Sequence, residues 1–446
     1  MNRYTNYNLK PYLIMLTIGL LVLFQAVPVG SRIYIDIDSA MQKKIPIAIP
    51  AFRHEAGDHP MGIKMAEILS NALGFSGLFQ IVDPAVFLQD PQKMGVEPGE
   101  IKFAEWTFLG ADLLVRGSYR TEGNRIEAVI RLYDVIHQKL LLEKEYKVTV
   151  EATRQTVLDF ADEMMLYLTG EPGIFRTKIA FVGDATGHKE VYLANFDGSN
   201  IRQLTRDQSI NLAPAWSGGG GRISFVGYRQ GNPDLYLMDL ISESVNRISH
   251  RPGLNIAPAW HPRDEKLAAT LSFTGNPELY LLDERGEILR QLTVNWSIDV
   301  SPSWSPDGKQ LAYVSNRAGK PQIYVLNIGT RRSRRLTFEG EYNTSPAWSP
   351  RGDRIVYSSM HNGIFDLFLI SPDGRELSQL TGGNGNNENP CWSADGRLIL
   401  FQSDRRGANT LWVMLANGGD QRRLQLDLGG THTEPAWSER LTQMAP

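Results

Sequence analysis

Two sets of residues recur at fixed distances ahead of six tryptophans, and most of them carry groups that can bind something. Five residues before Trp216, Trp260, Trp304, Trp348, Trp392 and Trp437 stand Asn211, Asn255, Asp299, Asn343, Asn387 and His432. Three before the same tryptophans stand Ala213, Ala257, Ser301, Ser345, Asn389 and Glu434. Amides, hydroxyls and carboxylates exchange hydrogen bonds with a partner, and one register position repeated six times places them on one ring. Asn and Asp also stabilise turns by bonding to nearby backbone, which accounts for the repeated Asn/Asp position equally well. His432, Glu434 and Asn389 break the repeat, so turn chemistry does not explain them and they stand out as binding residues. Imidazole and carboxylate also ligate metals. His432, Asp299 and Glu434 are therefore the ligand set that a channel-site enzyme, such as a polysaccharide lyase of propeller type, would use. Three scattered groups fall short of the histidine cluster such a centre needs. No nucleophile elbow, H-E-x-x-H, P-loop or dinucleotide fingerprint is present. The expectation is a chain without catalytic residues, metal or cofactor.

The elements that position these residues follow from the repeat itself. The six Pro-x-Trp tryptophans are 44 residues apart four times and then 45. An aromatic marker (Tyr192, Tyr236, Tyr280, Tyr324, Phe368, Trp412) and a Leu-Thr-like marker starting at Leu204 keep the same register. Within the unit around Trp304, Pro306-Asp307-Gly308 is a hairpin turn, because Pro fixes φ and Gly accepts a positive φ. Alternating strands follow at Leu311–Ser315 and Gln322–Leu326, then a short edge at Arg334–Thr337. Four antiparallel strands every 40 to 50 residues read as propeller blades, and six registers predict six. The first unit lacks a Pro-x-Trp strand and the chain ends with a spare one at Trp437, so joining the two closes the ring and leaves no open edge. The tryptophans are read as packing between blades, Cys391 as a small space-filler, and Arg331, Arg332, Arg334 and Arg335 as a solvated outer edge.

Residues 31–170 lack the repeat and alternate strand and helix patterns. Ile45–Pro50, Ala111–Tyr119, Arg125–Val135 and Leu140–Val150 read as strands. Met61–Leu73 and Glu151–Leu168 carry apolar stripes at helical spacing. The fold class is mixed: a small α/β N-terminal domain followed by an all-β six-bladed β-propeller over 174–446, with Gly170-Glu-Pro-Gly173 between them. Residues 1–30 read as a signal peptide, with Arg3 and Lys10 ahead of the apolar run Leu13–Phe24. That run is shorter than the ~20 residues of a spanning helix. With 46 basic and 49 acidic residues the net charge is -3, which argues against a nucleic-acid partner. Directly after the signal peptide, Arg32, Ile33, Tyr34, Ile35, Asp36 and Ile37 alternate polar and apolar. They read as a first strand or as an arm that adds to a partner's sheet edge.

The P-x-W-S-P-D-G…I-Y…L-T repeat, the junction Leu168-Thr-Gly-Glu-Pro-Gly-Ile-Phe-Arg-Thr-Lys-Ile-Ala-Phe181 and the Arg32-Ile-Tyr-Ile-Asp-Ile-Asp38 start together resemble the TolB family of the Tol–Pal system. The turns Ser217–Gly221 and His261–Asp264 depart from the family's pattern. The resemblance implies a periplasmic protein attached to the envelope through its partners. It further implies that the lipoprotein Pal binds at the propeller mouth and TolA at the N-terminal arm, serving outer-membrane integrity and constriction during division. The mouth residues so assigned are Asn211, Asn255, Ala257, Asp299, Ser301, Asn343, Ser345, Asn387, Asn389, His432 and Glu434.

Overall fold

The computed structural model describes residues 44–55 and 60–441. The expected signal peptide and the arm Arg32–Ile37 lie outside the described residues.

In the N-terminal domain, β1 (Ile45–Ala48) pairs in parallel with β3 (Phe79–Ile81) and β4 (Leu113–Glu122), and β2 (Arg53–His54) lies beside β4. β4, β5 (Arg125–Asp134) and β6 (Lys139–Thr149) continue as an antiparallel meander. Helix α1 (Met61–Phe75) buries Met65, Ile68, Leu69, Ala72 and Leu73, residues that recur three and four apart and so share one face. A short helix α2 (Phe103–Phe108) follows β3, and its Phe103 and Trp106 are buried. Helix α3 (Thr153–Thr169) buries Val157, Phe160, Ala161, Met164, Met165 and Leu168 and ends at Gly170, whose φ of 78° is the left-handed cap that glycine supplies. Each large side chain removed from water here stabilises the layer by about 1.5–3 kcal/mol.

The propeller consists of six four-stranded sheets. Blade 1 joins the last strand, His432–Trp437, to Lys178–Gly183, Glu190–Asn195 and Arg202–Gln203. Blades 2 to 6 begin with the inner strands Asn211–Trp216, Asn255–Trp260, Asp299–Trp304, Tyr342–Trp348 and Asn387–Trp392. The spare C-terminal strand therefore closes the ring, pairing Trp437 with Ile179 and His432 with Gly183. The tryptophans join blades: Trp216, Trp304 and Trp392 each donate Nε1–H at 3.0 Å to a carbonyl of the preceding blade, those of Ala436, Ala259 and Ala347. Arg332–Arg335 forms the outermost strand of blade 4 and is largely exposed. Desolvation pushes the Cys391 thiol up to about 12, which keeps it protonated.

Every inner strand runs from its Asn end to its Trp end. Antiparallel pairing then puts the turns after Trp, and those between the third and fourth strands, on one face. The crossovers between blades lie on the other. Among the described residues, the N-terminal domain meets the Trp face in the pairs Lys44 with Asp420 at 3.1 Å, Arg154 with Asp197 at 2.7 Å, and Arg422 Nη2 with the Phe75 carbonyl at 2.5 Å. Phe75 packs 5.3 Å from Phe196 and 6.4 Å from Trp437, so one core runs through both units.

Candidate functional site

The outer ring of sequence-selected residues is not on the rim. Asn211, Asn255, Asp299, Asn343 and Asn387 are 0% exposed and His432 is 1% exposed. Asn211 Nδ2–H donates at 3.0 Å to Glu190 Oε2, which also accepts the Thr205 hydroxyl. Glu190 begins the third strand of blade 1, Thr205 follows its fourth, and Asn211 begins the inner strand of blade 2. The trio thus bolts one blade to the next. The same arrangement recurs with Asn343 and Thr337 on Gln322 Oε1, both at 2.9 Å, and with Asn387 and Thr381 on Asp366 Oδ1 at 3.0 and 2.7 Å. Asn255 Oδ1 accepts from Ser249 Oγ at 2.6 Å, and Asp299 receives Arg317 Nη2 at 2.8 and 3.1 Å. His432 stands edge-on to Phe181 at 5.6 Å, with burial holding its imidazole below the usual histidine range. These side chains bond mainly inside the fold, although Asn211 Oδ1, Asn343 Oδ1 and His432 Nε2 are buried without a hydrogen-bond partner. Their placement on the rim is corrected accordingly: they are structural ties at the crossovers.

The second ring lies at one repeated position on the six inner strands. Ala213, Ala257, Ser301, Ser345, Asn389 and Glu434 all have φ between 48° and 54°, and each falls where its inner strand shifts register against its neighbour. This is a β-bulge repeated six times, with a left-handed residue that costs about 1–3 kcal/mol when it is not glycine. Successive members touch: Ser345 Oγ–H donates to Asn389 Oδ1 at 2.7 Å, and Ala213 N–H to Glu434 Oε2 at 2.6 Å. Burial raises the Glu434 carboxyl above the usual range. The proposed ligand set for an enzyme is split by the same geometry, because Asp299 of blade 4 and His432 of blade 1 lie on opposite sides of a six-membered ring. Among the described residues no group of three or more His, Cys, Asp or Glu is placed to hold a metal ion.

Sequence reasoning missed the exposed apolar side chains on the face away from the N-terminal domain. The crossover from blade 3 to blade 4 carries Val294 and Trp296, 81% and 99% exposed, and Ile298. The next crossover presents Phe338, 72% exposed, and Tyr342. Phe273 in the blade 3 turn and Ile364 in the blade 5 hairpin extend the arc, and Tyr342 meets Phe365 edge-on at 6.0 Å. Two further crossovers are polar and small, Gly382-Gly-Asn-Gly-Asn-Asn387 and Asp427-Leu-Gly-Gly-Thr431, while Ile210 is exposed on the crossover from blade 1 to blade 2. A signal was available: Trp296 stands eight residues before Trp304, where the other full repeats have Gln208, Pro252, Gly340 and Asn384. At the opposite end of the channel, the six Pro-x-Trp segments enclose a cavity of about 440 Å³.

With this geometry in place, comparison with known proteins is decisive. The model of the TolB beta propeller domain matches residues 166–441, and that of the TolB amino-terminal domain matches residues 33–141. The chain belongs to the TolB family. The TolB crystal structure from Acinetobacter baumannii superposes with a TM-score of 0.78 at 27% identity, covering 91% of this chain and 99% of that one. The Tol-Pal system protein TolB of Desulfosudis oleivorans is 42% identical over 209 residues, which is 46% of this chain and 48% of that protein. That of Syntrophotalea carbinolica is 41% identical over 157 residues, 35% of this chain and 36% of that protein. The chain thus spans about half the length, or less, of these curated TolB relatives. Among the described residues no helix is long and apolar enough to cross a membrane.

Proposed function

We propose that this protein is a periplasmic, non-enzymatic binding component of a Tol–Pal system. In this reading it binds the lipoprotein Pal on the crossover face of its propeller and TolA through the arm Arg32–Ile37, and so supports outer-membrane integrity and constriction. The observation that carries the reading is the apolar arc of Val294, Trp296, Phe338 and Tyr342 around the channel mouth, on the face the N-terminal domain leaves uncovered. Clusters of exposed large apolar side chains mark interaction sites, and Trp and Tyr are enriched among the residues that dominate affinity at such interfaces. Below the arc, Ala257, Ser301, Ser345, Asn389 and Glu434 offer hydrogen-bonding groups and close approach to a segment that enters the throat. The alternating Ile33, Ile35 and Ile37 suit a strand added to the edge of a TolA sheet. Equilibrium titration of the mature protein with purified Pal and with the TolA C-terminal domain tests both contacts, and absence of binding to either refutes the reading.

A further inference from the structure

On the Trp face of the propeller, three arginines gather around the linker that joins the two units. Arg351 lies in the turn after the inner strand of blade 5, Arg397 in the same turn of blade 6, and Arg440 just past the closing strand. Arg440 is committed to backbone, donating Nε–H to the Gly173 carbonyl at 2.7 Å and Nη2–H to that of Pro172 at 2.5 Å. Arg351 donates Nε–H to the Asp395 carbonyl at 2.8 Å, and its Nη2 lies 3.5 Å from Glu171 Oε2. Arg397 differs from both. Its side chain is 6% exposed, and its Nε, Nη1 and Nη2 are all buried without a hydrogen bond to the protein.

The acids around Arg397 stand off. Glu171 Oε2 and Asp395 Oδ2 are each 3.9 Å away, whereas charge-assisted N–H···O pairs close to about 2.7–2.9 Å. Asp395 is held by other bonds, its Oδ1 accepting from Ser393 Oγ at 2.6 Å and from the Arg397 backbone at 3.1 Å. Asp162, on the α3 side near Arg440, accepts from the Phe175 backbone N–H at 3.2 Å. A buried guanidinium with unused donors is costly unless an anion meets it. Glu171 is half exposed, so its carboxylate is reachable from solvent.

We propose that this junction binds a small oxyanion, a carboxylate or a phosphate, which replaces Glu171 between Arg351 and Arg397. The planar guanidinium fork matches two oxygens of such a group, and the displaced Glu171 carboxylate returns to solvent. Because Glu171 belongs to the linker, occupancy also releases one of the ties between linker and propeller.

The test is thermal melting of the full mature chain in rising sodium phosphate or sodium acetate, at ionic strength fixed with chloride. The expected result is a saturable rise in Tm, on the order of 2 °C at ten times the dissociation constant, absent in Arg397→Gln. A response to phosphate alone identifies a phosphate group as the ligand, and an equal response to both identifies a general oxyanion site. Glu171→Gln removes the internal competitor and should bind the anion at least threefold more tightly, a readout that stands even if Arg397→Gln fails to fold. A rise of equal size in Arg397→Gln, no rise in the native chain, or unchanged affinity in Glu171→Gln overturns the proposal.

Discussion

The indole Nε1–H of Trp437 donates to Thr177 Oγ1 at 2.8 Å, joining residues 260 positions apart. Beside it, the Lys178 backbone N–H donates to Ser438 Oγ at 2.9 Å. Blade 1 is therefore assembled from both ends of the propeller, its inner strand being the last of the propeller in chain order. Truncation before Gly430 removes that strand and exposes a sheet edge at blade 1. The expected outcome is loss of the cooperative thermal transition, read by circular dichroism. A truncated chain that melts cooperatively near the native Tm contradicts closure by this strand.

The buried ring predicts a separation of stability from binding. Asn343→Ala leaves Gln322 Oε1 without one of its two donors inside the fold, and should cost about 1–3 kcal/mol of stability. Its effect on Pal affinity, measured at a temperature where the variant is folded, should stay within about twofold. A large affinity loss without destabilisation would return this position to the interface.

Arg116 makes a similar prediction for the N-terminal domain. It is 0% exposed and donates to the carbonyls of Gly95, Ala51, Pro91 and Met94 at 3.1–3.3 Å. Desolvation, with the nearby Arg53 charge, lowers its pKa to about 10. Arg116→Met leaves four carbonyls without their donor, one of them buried and three partly buried, so chemical denaturation should show a loss of about 3 kcal/mol or more. A loss below about 1 kcal/mol would mean the loop over 89–97 holds its shape without the arginine.

Asp162 gives the junction a pH dependence. Burial pushes its carboxyl up from 3.8 to about 6, against the opposing pull of the Phe175 N–H and of Arg440 and Arg176. Between those values the folded chain holds a proton that the unfolded chain has lost. The contribution is therefore full below pH 4 and disappears as the pH rises through 6. Asp162→Asn keeps an acceptor for Phe175 and should gain stability relative to the native chain at pH 7.5, on the order of 2 kcal/mol, with no gain at pH 4. Denaturant melts at the two pH values check the sign.

Much of this fold was legible because a propeller writes its period into the sequence. Trp304, Tyr324 and Leu336 recur in register with their counterparts since every blade must present the same large side chains to its neighbours. The stripes of α1 and α3 were readable for the equivalent reason, at helical spacing. β3 and α2 were not, because three to six residues carry too little periodicity. The site was read less well. The recurring Asn position looked like a rim because repetition alone does not distinguish a crossover tie from a surface ring. The pairing of Asn211 with Glu190 and Thr205 depends on side chains from two blades that only the fold brings together. Trp296 was hidden for the opposite reason, being a single departure in one blade among six tryptophans that keep the repeat.

Pal affinity across a small set of variants tests the central claim most directly. Isothermal titration of purified Pal against the native chain, Trp296→Ala, Phe338→Ala, Ala257→Arg and Arg332→Ala compares the arc and throat with the outer edge of blade 4. Trp296 and Phe338 are mostly in solvent, so their truncation should leave Tm within about 1–2 °C. Each should weaken Pal binding by about 2 kcal/mol, roughly 30-fold in Kd. Ala257→Arg should also weaken binding by crowding the throat, while Arg332→Ala binds as the native chain does. Native affinity in the Trp296, Phe338 and Ala257 variants, together with lost affinity in Arg332→Ala, would contradict docking on the crossover face.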